Sequence, residues 1–294
     1  MSNFDLKDLP NLYFNEVNIL SKFEKNNYIQ ELISSFHDYD NLFFVSKLYE
    51  GTASNYLYNK WNENQIQFFS ACLIQSFLYL RKNHYIHRDI HFGNLALDKE
   101  KYFALIDFHI AIDYKYKNNP KNDFIGTPPL CAPEMINHLI YDYNSDYYRL
   151  GGMLYFIIFG TFPNIIKKNK NLTEIQINPN ENNNYSYSCI DFINKLIIAD
   201  YKKRIGFHDI DELKNHEFFN NFNWNSFINK KIKSPFSHMT PKNPKICENI
   251  YNFTKREFLS NYILKNETLR NIFINYDRIN DEIASIIFNS LNAN

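Results

Sequence analysis

The chain has 294 residues and is 45% hydrophobic, enough for one large domain or a small pair. Its 32 Lys and Arg balance its 32 Asp and Glu, so no protein-wide basic field exists with which to hold nucleic acid or an anionic membrane. The four cysteines (Cys72, Cys131, Cys189, Cys247) are far apart and form no CxxC or Cys/His cluster, which argues against a zinc site and a disulfide framework and suits a reducing compartment.

The N-terminus lacks the basic-then-apolar profile of a signal peptide. The apolar stretch around Met153 to Phe159 falls short of the about 20 residues that cross a bilayer. A soluble, intracellular, cytoplasmic protein without a membrane span is expected.

Phe14 to Phe23 places Val17 and Leu20 at helical spacing and predicts a helix. Ile29 to Phe36 and Leu42 to Tyr49 alternate loosely and predict strands. From Glu63 to Arg81, Ile66, Phe69, Leu73, Phe77 and Leu80 recur at spacings of three and four, and the segment is apolar on more than one side. That pattern predicts a buried helix. Leu95 to Leu97 and Phe103 to Ile106 read as two short strands about a polar turn. Helices are expected again at Asp146 to Phe159, Ile190 to Ile198 and Ile210 to His216. The Asn-rich stretch from Asn164 to Asn184 reads as a loop or a poorly ordered insertion, and its Lys167, Lys168 and Lys170 as solvated loop residues. The fold class is α+β, weighted toward helix.

The chemistry concentrates in His87-Arg88-Asp89, with Asn94 five residues after Asp89 and Asp107-Phe108 just past the apolar run Ala104-Leu105-Ile106. Phosphoryl transfer needs such a set: one carboxylate to orient the attacking hydroxyl and accept its proton, and a carboxylate with an amide oxygen to hold Mg²⁺. Asx turns would explain any of these residues singly, but not their joint spacing. His84 and His91 have no carboxylate or cysteine at metal-ligand spacing and read as ordinary histidines in that respect.

These residues resemble the catalytic core of the eukaryotic protein kinases. Gly126-Thr127-Pro128 to Ala132-Pro133-Glu134 resembles the end of a kinase activation segment, and Ser145-Asp146 to Leu150-Gly151 the start of the helix that follows it. The resemblance implies that Asp146 braces the catalytic loop and that Arg204 pairs with Glu134. It makes Glu16, within Asn15 to Leu20, the carboxylate that grips the nucleotide-binding lysine, and it stacks His87, Phe108, Leu20 and Leu32 between two lobes. It implies a Mg-ATP site in which Asp89 acts on the hydroxyl, while Asn94 and Asp107 hold the metal. Arg204-Ile205-Gly206, His216 to Phe219, Trp224 and Pro235-Phe236 are similar to the AGC group of serine/threonine kinases, whose C-terminal tail wraps back on the small lobe. Phe273 to Asp277 faintly resembles that tail's hydrophobic motif. The implied domains are a remnant small lobe over residues 1–49, a large lobe over 50–236 and a tail over 237–294.

Departures from the pattern shape the functional expectation. Only fifteen residues precede Glu16, without a GxGxxG or a lysine strand. Losing one preorganised charge donor costs about 10²–10³ in rate. His91 stands where protein-serine kinases carry lysine, and it brings no charge when neutral. His109 replaces a glycine. In the hinge-like stretch Asn41 to Gly51, Lys47 takes a usually acidic position that lines the nucleotide. Ala53, Gly93 and Phe156 fall where basic-substrate kinases place carboxylates. Asp123 stands where an activating phosphothreonine belongs and is a carboxylate for Arg88 to meet.

The expected protein is thus an AGC-like pseudokinase with weak or absent phosphotransfer, which acts through a protein partner. One alternative is an active serine/threonine kinase, acting on a protein substrate, whose glycine loop and lysine strand come from a missing segment or another chain. The other is a small-molecule kinase, because Asp89-x-His91-x-Gly93-Asn94 also resembles enzymes acting on aminoglycosides and choline. Substrate, regulator and oligomeric state have no signature in the sequence.

Overall fold

The computed structural model describes residues 9–37, 42–58, 60–116, 130–138, 141–163, 167–168, 171–172, 177–178, 184–241 and 278–279. Met1–Leu48, Ile106–Ala111 and Lys245–Asn294 cluster into one unit, and Tyr49–Leu105 and Ile112–Pro244 into another.

In the smaller unit a helix, α1 (Leu9–Leu20), precedes an antiparallel pair, β1 (Leu32–His37) and β2 (Leu42–Ser46). The helix starts earlier than the apolar spacing indicates, with Pro10 in its first turn, where a missing amide hydrogen costs nothing. Val17, Ile19 and Leu20 form its buried stripe. A bulge between Leu32 and Ser34 shifts the β1–β2 register, and Phe36 stacks on Phe43 across the pair with ring centroids 4.7 Å apart. The strand Arg278–Ile279 pairs with the other edge of β1, through Ser34 with Ile279 and Ser35 with Arg278. The segment Ile106–Ala111 belongs to this unit, tied to α1 by Asn15, whose Nδ2 donates to the carbonyls of His109 (3.0 Å) and Ala111 (2.8 Å).

The larger unit is built around α2 (Glu63–Lys82), the predicted buried helix. A reciprocal cap starts it: Asn62 accepts from the Gln65 amide (3.0 Å) while the Gln65 side chain accepts from the Asn62 amide (2.9 Å). Glu63 in the first turn and Arg81 and Lys82 in the last complement the helix dipole. Two short ladders follow, β3 (Tyr85–Ile86) with β6 (Ile112–Asp113), and β4 (Leu95–Leu97) with β5 (Phe103–Leu105). Beyond them come α3 (Pro133–His138), the buried α4 (Tyr143–Phe159), α5 (Tyr187–Leu196), and the short α6 (Asp211–Lys214) and α7 (Trp224–Ile228). α4 stops at Gly160, whose φ of +74° closes the last turn without a Cβ penalty.

The core is aromatic. Trp61 meets Phe69 (5.1 Å) and Phe236 (4.8 Å), and Phe103 meets Phe69 (5.1 Å) and Phe236 (5.0 Å). Phe236, far along the chain, thereby clamps α2 and β5. The mixed strand and helix content, weighted to helix, is the α+β class expected from the sequence. Among the described residues no helix is long and apolar enough to cross a membrane.

Candidate active site

In the larger unit the segment between β3 and β4 forms a tight loop held from below by one carboxylate. Asp146, in the first turn of α4 and fully enclosed, accepts from the amides of His87 (2.9 Å) and Arg88 (3.1 Å). Burial pushes its carboxyl up to about 6 against the pull of Arg149 and the two amides, which leaves it largely ionised at neutral pH. The two bonds hold Arg88 at a φ of +71°, a strained conformation for a residue with a Cβ. The Arg88 guanidinium lies over the ring of Tyr141, 5.0 Å from its centroid.

The loop then turns on its own side chains. The Asp89 amide donates to His87 Nδ1 (3.3 Å), and the Gly93 amide donates to His91 Nδ1 (3.0 Å). A Cβ on Gly93 would lie 2.9 Å from His91 Cε1, so glycine is what lets the ring fold back. Because His91 Nδ1 accepts, the neutral ring carries its proton on Nε2, which faces Asp89 Oδ2 at 3.4 Å. Asn94 Nδ2 donates to the Asp89 carbonyl (3.0 Å) and lies 3.5 Å from Oδ2. Its Oδ1 carries no hydrogen bond among the described residues and is left to accept a cation. On the other side of the carboxylate, Arg149 Nη1 stands 3.7 Å from Asp89 Oδ1. Against the cost of burial, His91 and Arg149 hold the Asp89 carboxyl far below the usual carboxylate range.

The smaller unit carries Glu16, Lys47, Asp107 and Phe108. The Phe108 amide donates to Glu16 Oε1 (3.3 Å), and Phe108 packs edge-on against Phe23 with centroids 5.6 Å apart. Glu16 is therefore engaged by the backbone just after Asp107. The Asp107 amide donates to Gln30 Oε1 (2.8 Å), and Asp107 holds a φ of +70°. Its Oδ1 is in close contact with His109 Nδ1, and both side chains are partly exposed. Lys47 follows β2 and is half-buried.

Asp89, His91, Asn94, His87, Arg88 and Asp146 thus meet in one unit, and Glu16, Asp107 and Phe108 in the other. Asp123 lies outside the described residues. Arg204 pairs with Glu134 as the resemblance implies, through bonds of 2.7 and 2.9 Å. Sequence reasoning passed over Gln30 and Arg149. The sequence shows Arg149 only as a lone cation among the apolar residues that follow Asp146, which marks it as unusual without saying what it meets.

Residues 3–219 match the family model described as "Protein kinase domain". The chain belongs to that family. Serine/threonine-protein kinases are among the similar curated proteins. The chain is 31% identical over 232 residues to serine/threonine-protein kinase Sgk1 of Gallus gallus, an overlap of 76% of this chain and 53% of that protein. It is 30% identical over 227 residues to serine/threonine-protein kinase sgk-1 of Caenorhabditis elegans, 75% of this chain and 49% of that one. To Sgk1 of Homo sapiens it is 31% identical over 232 residues, 76% of this chain and 53% of the human protein. The chain spans about half the length of the curated relatives it matches. These relatives support the eukaryotic serine/threonine, AGC-group kinship expected from the motifs.

Proposed function

We propose that this kinase domain transfers the γ-phosphoryl group of Mg-ATP slowly to a serine or threonine hydroxyl of a protein. Its geometry is intact at the proton-accepting carboxylate and weakened around the phosphate. The observation that carries the reading is the pinning of Asp89. Asp146 ties down the loop backbone, and Asn94 holds the carbonyl of Asp89 itself. Asp89 orients the acceptor hydroxyl and takes its proton. Asn94 Oδ1 and the Asp107 carboxylate are hard oxygen donors of the kind Mg²⁺ takes, and Lys47 flanks the nucleotide. When bound, the metal neutralises charge on the transferring phosphate.

Slow transfer follows from two departures. His91 is spent on Asp89 and the Gly93 amide, so it offers the phosphate no cation. His109 competes for one oxygen of Asp107. The same loop geometry accounts for His91 and Gly93 as partners in a turn, without a small-molecule acceptor. The buried free thiols Cys72, Cys131 and Cys189 suit a reducing, intracellular setting.

The contact of His109 with Asp107 also favours a second reading, a pseudokinase that acts only through a protein partner. Isothermal titration of ATP into the full chain, with and without Mg²⁺ and repeated on Asp107→Asn, separates the two when combined with a phosphotransfer assay. Mg²⁺-dependent binding that Asp107→Asn abolishes, with transfer that Asp89→Asn abolishes, is the expected result. Binding without transfer would leave the pseudokinase, and no binding at all would remove both the metal role of Asp107 and the kinase reading.

A further inference from the structure

Arg149 sits in α4 three residues after Asp146, with its side chain 0% exposed. Its Nη2 reaches Cys131 Sγ at 3.7 Å, and its Nη1 stands 3.7 Å from Asp89 Oδ1. Nε and Nη1 have no hydrogen-bond partner among the described residues. A guanidinium enclosed with donors unspent is costly, and such a charge is tolerated only where an opposite charge stands close by. Among the described residues, the carboxylates available to Arg149 are Asp89 and Asp146. Asp146 is already occupied by the two loop amides.

The fork geometry matters as well. One nitrogen faces the catalytic carboxylate while the other faces Cys131, just before Ala132-Pro133-Glu134, so a single rigid group touches both segments. Asp89 is consequently flanked on one oxygen by this cation and on the other by His91 Nε2 and Asn94 Nδ2.

We propose that Arg149 is the positioning residue of the catalytic carboxylate, a buried cation that reaches from α4 beneath the loop and fixes the orientation of Asp89. It supplies from behind the positive charge that His91 does not supply in front. Substrate does not reach Arg149, which acts only through Asp89. The proposal rests on the reading of Asp89 as the group that orients the hydroxyl.

A double-mutant cycle on the full chain tests the pairing without any need for activity. In the wild type, Asp89→Asn strips Arg149 of its counter-charge and is expected to lower the urea midpoint clearly. In an Arg149→Met background the same change is expected to leave the midpoint unchanged or raised. Additive shifts would overturn the pairing. Should Arg149→Met fail to fold, the cycle is run with Arg149→Lys, whose single ammonium cannot span both contacts and is expected to couple more weakly to Asp89 than arginine does. Coupling as strong as that of arginine would overturn the role of the fork.

With Mg-ATP and a serine peptide, Arg149→Met is expected to lower kcat by about 10²-fold with KM for ATP nearly unchanged, and Arg149→Lys to recover part of the loss. A parallel loss of ATP affinity and rate would mark a general packing role and overturn positioning. If the wild type transfers no phosphate, the kinase reading fails, and the cycle still decides whether Arg149 holds Asp89.

Discussion

Arg204 grips Glu134 through two bonds, Nη1 to Oε1 at 2.7 Å and Nη2 to Oε2 at 2.9 Å, and neither residue touches solvent to any extent. Seventy residues separate them in the chain. The pair is satisfied all round: Arg204 also donates to the carbonyls of Asn144 (2.7 Å) and Ile198 (2.9 Å), and Ser145 Oγ donates to Glu134 Oε1 (3.0 Å). The guanidinium lies over Tyr148, 4.9 Å from the ring centroid. It locks the start of α3, just after Cys131, to the start of α4, which carries Asp146 beneath the candidate catalytic loop.

Breaking this pair leaves an uncompensated buried charge. Arg204→Leu is therefore expected to cost about 3–5 kcal/mol, and Glu134→Leu a similar amount. The double substitution, which leaves no charge behind, is expected to cost clearly less than the sum. Urea unfolding of the three variants measures the difference, and strict additivity would show that the pair carries no mutual stabilisation.

Asp146 is the second buried anchor. Removing its carboxylate with Asp146→Ala leaves the His87 and Arg88 amides without acceptors and lifts the constraint that holds Arg88 at its positive φ. The expected loss is about 2–4 kcal/mol of stability. Hydrogen exchange offers a local check, since the amides of His87 and Arg88 are expected to lose protection before those of α2.

His216 makes stability depend on pH. Burial lowers its pKa first and the neighbouring Lys195 charge lowers it further, with Asp191 opposing them. Its Nδ1 accepts from the Phe218 amide (3.2 Å), so a proton there would also break that cap. A folded pKa below the ordinary value means the unfolded chain binds more protons, so this contribution is present in full above about pH 6.5 and is lost as pH falls below it. The unfolding midpoint of the wild type is expected to drop from pH 7.5 to pH 5.5 by more than that of His216→Gln. Equal drops would mean that His216 titrates alike in both states.

His109 in close contact with the Asp107 carboxylate predicts a gain on removal. His109→Gly removes the imidazole from Asp107 Oδ1 and restores backbone freedom beside the strained Asp107. Mg²⁺-dependent ATP affinity is expected to rise several-fold, by about 1 kcal/mol on the scale of one recovered charge-assisted contact. Calorimetric titration against the wild type reads the change, and unchanged affinity would show that His109 does not compete.

The helices α2, α4 and α5 and the strand pairs β1–β2 and β4–β5 were legible in the sequence, because repeat spacing is a local property of a chain that buries one face. Their ends were less legible. α1 begins before its apolar stripe, and α4 begins at Tyr143 rather than at Asp146, because caps and first turns obey hydrogen bonding more than hydropathy. Of the candidate site, Asp89, Asn94 and Asp107 stood out by their joint spacing, and Asp146 only through the family resemblance. Arg149 and Gln30 could not be assigned, since nothing in their local sequence says which backbone or carboxylate they will meet.

The sequence by itself determined the candidate groups: a carboxylate, an amide oxygen and a second carboxylate at the intervals that a phosphoryl-transfer loop requires. The tertiary structure alone decided what those groups touch. It brought the Arg149 guanidinium beside Asp89, set Glu16 on the Phe108 amide, and laid Phe236 against Trp61 and Phe103. The reason is physical. A side chain's chemistry is covalent and local, but its partner is chosen by how distant segments pack, and that choice settles which buried charge is paired and which donor is left unspent.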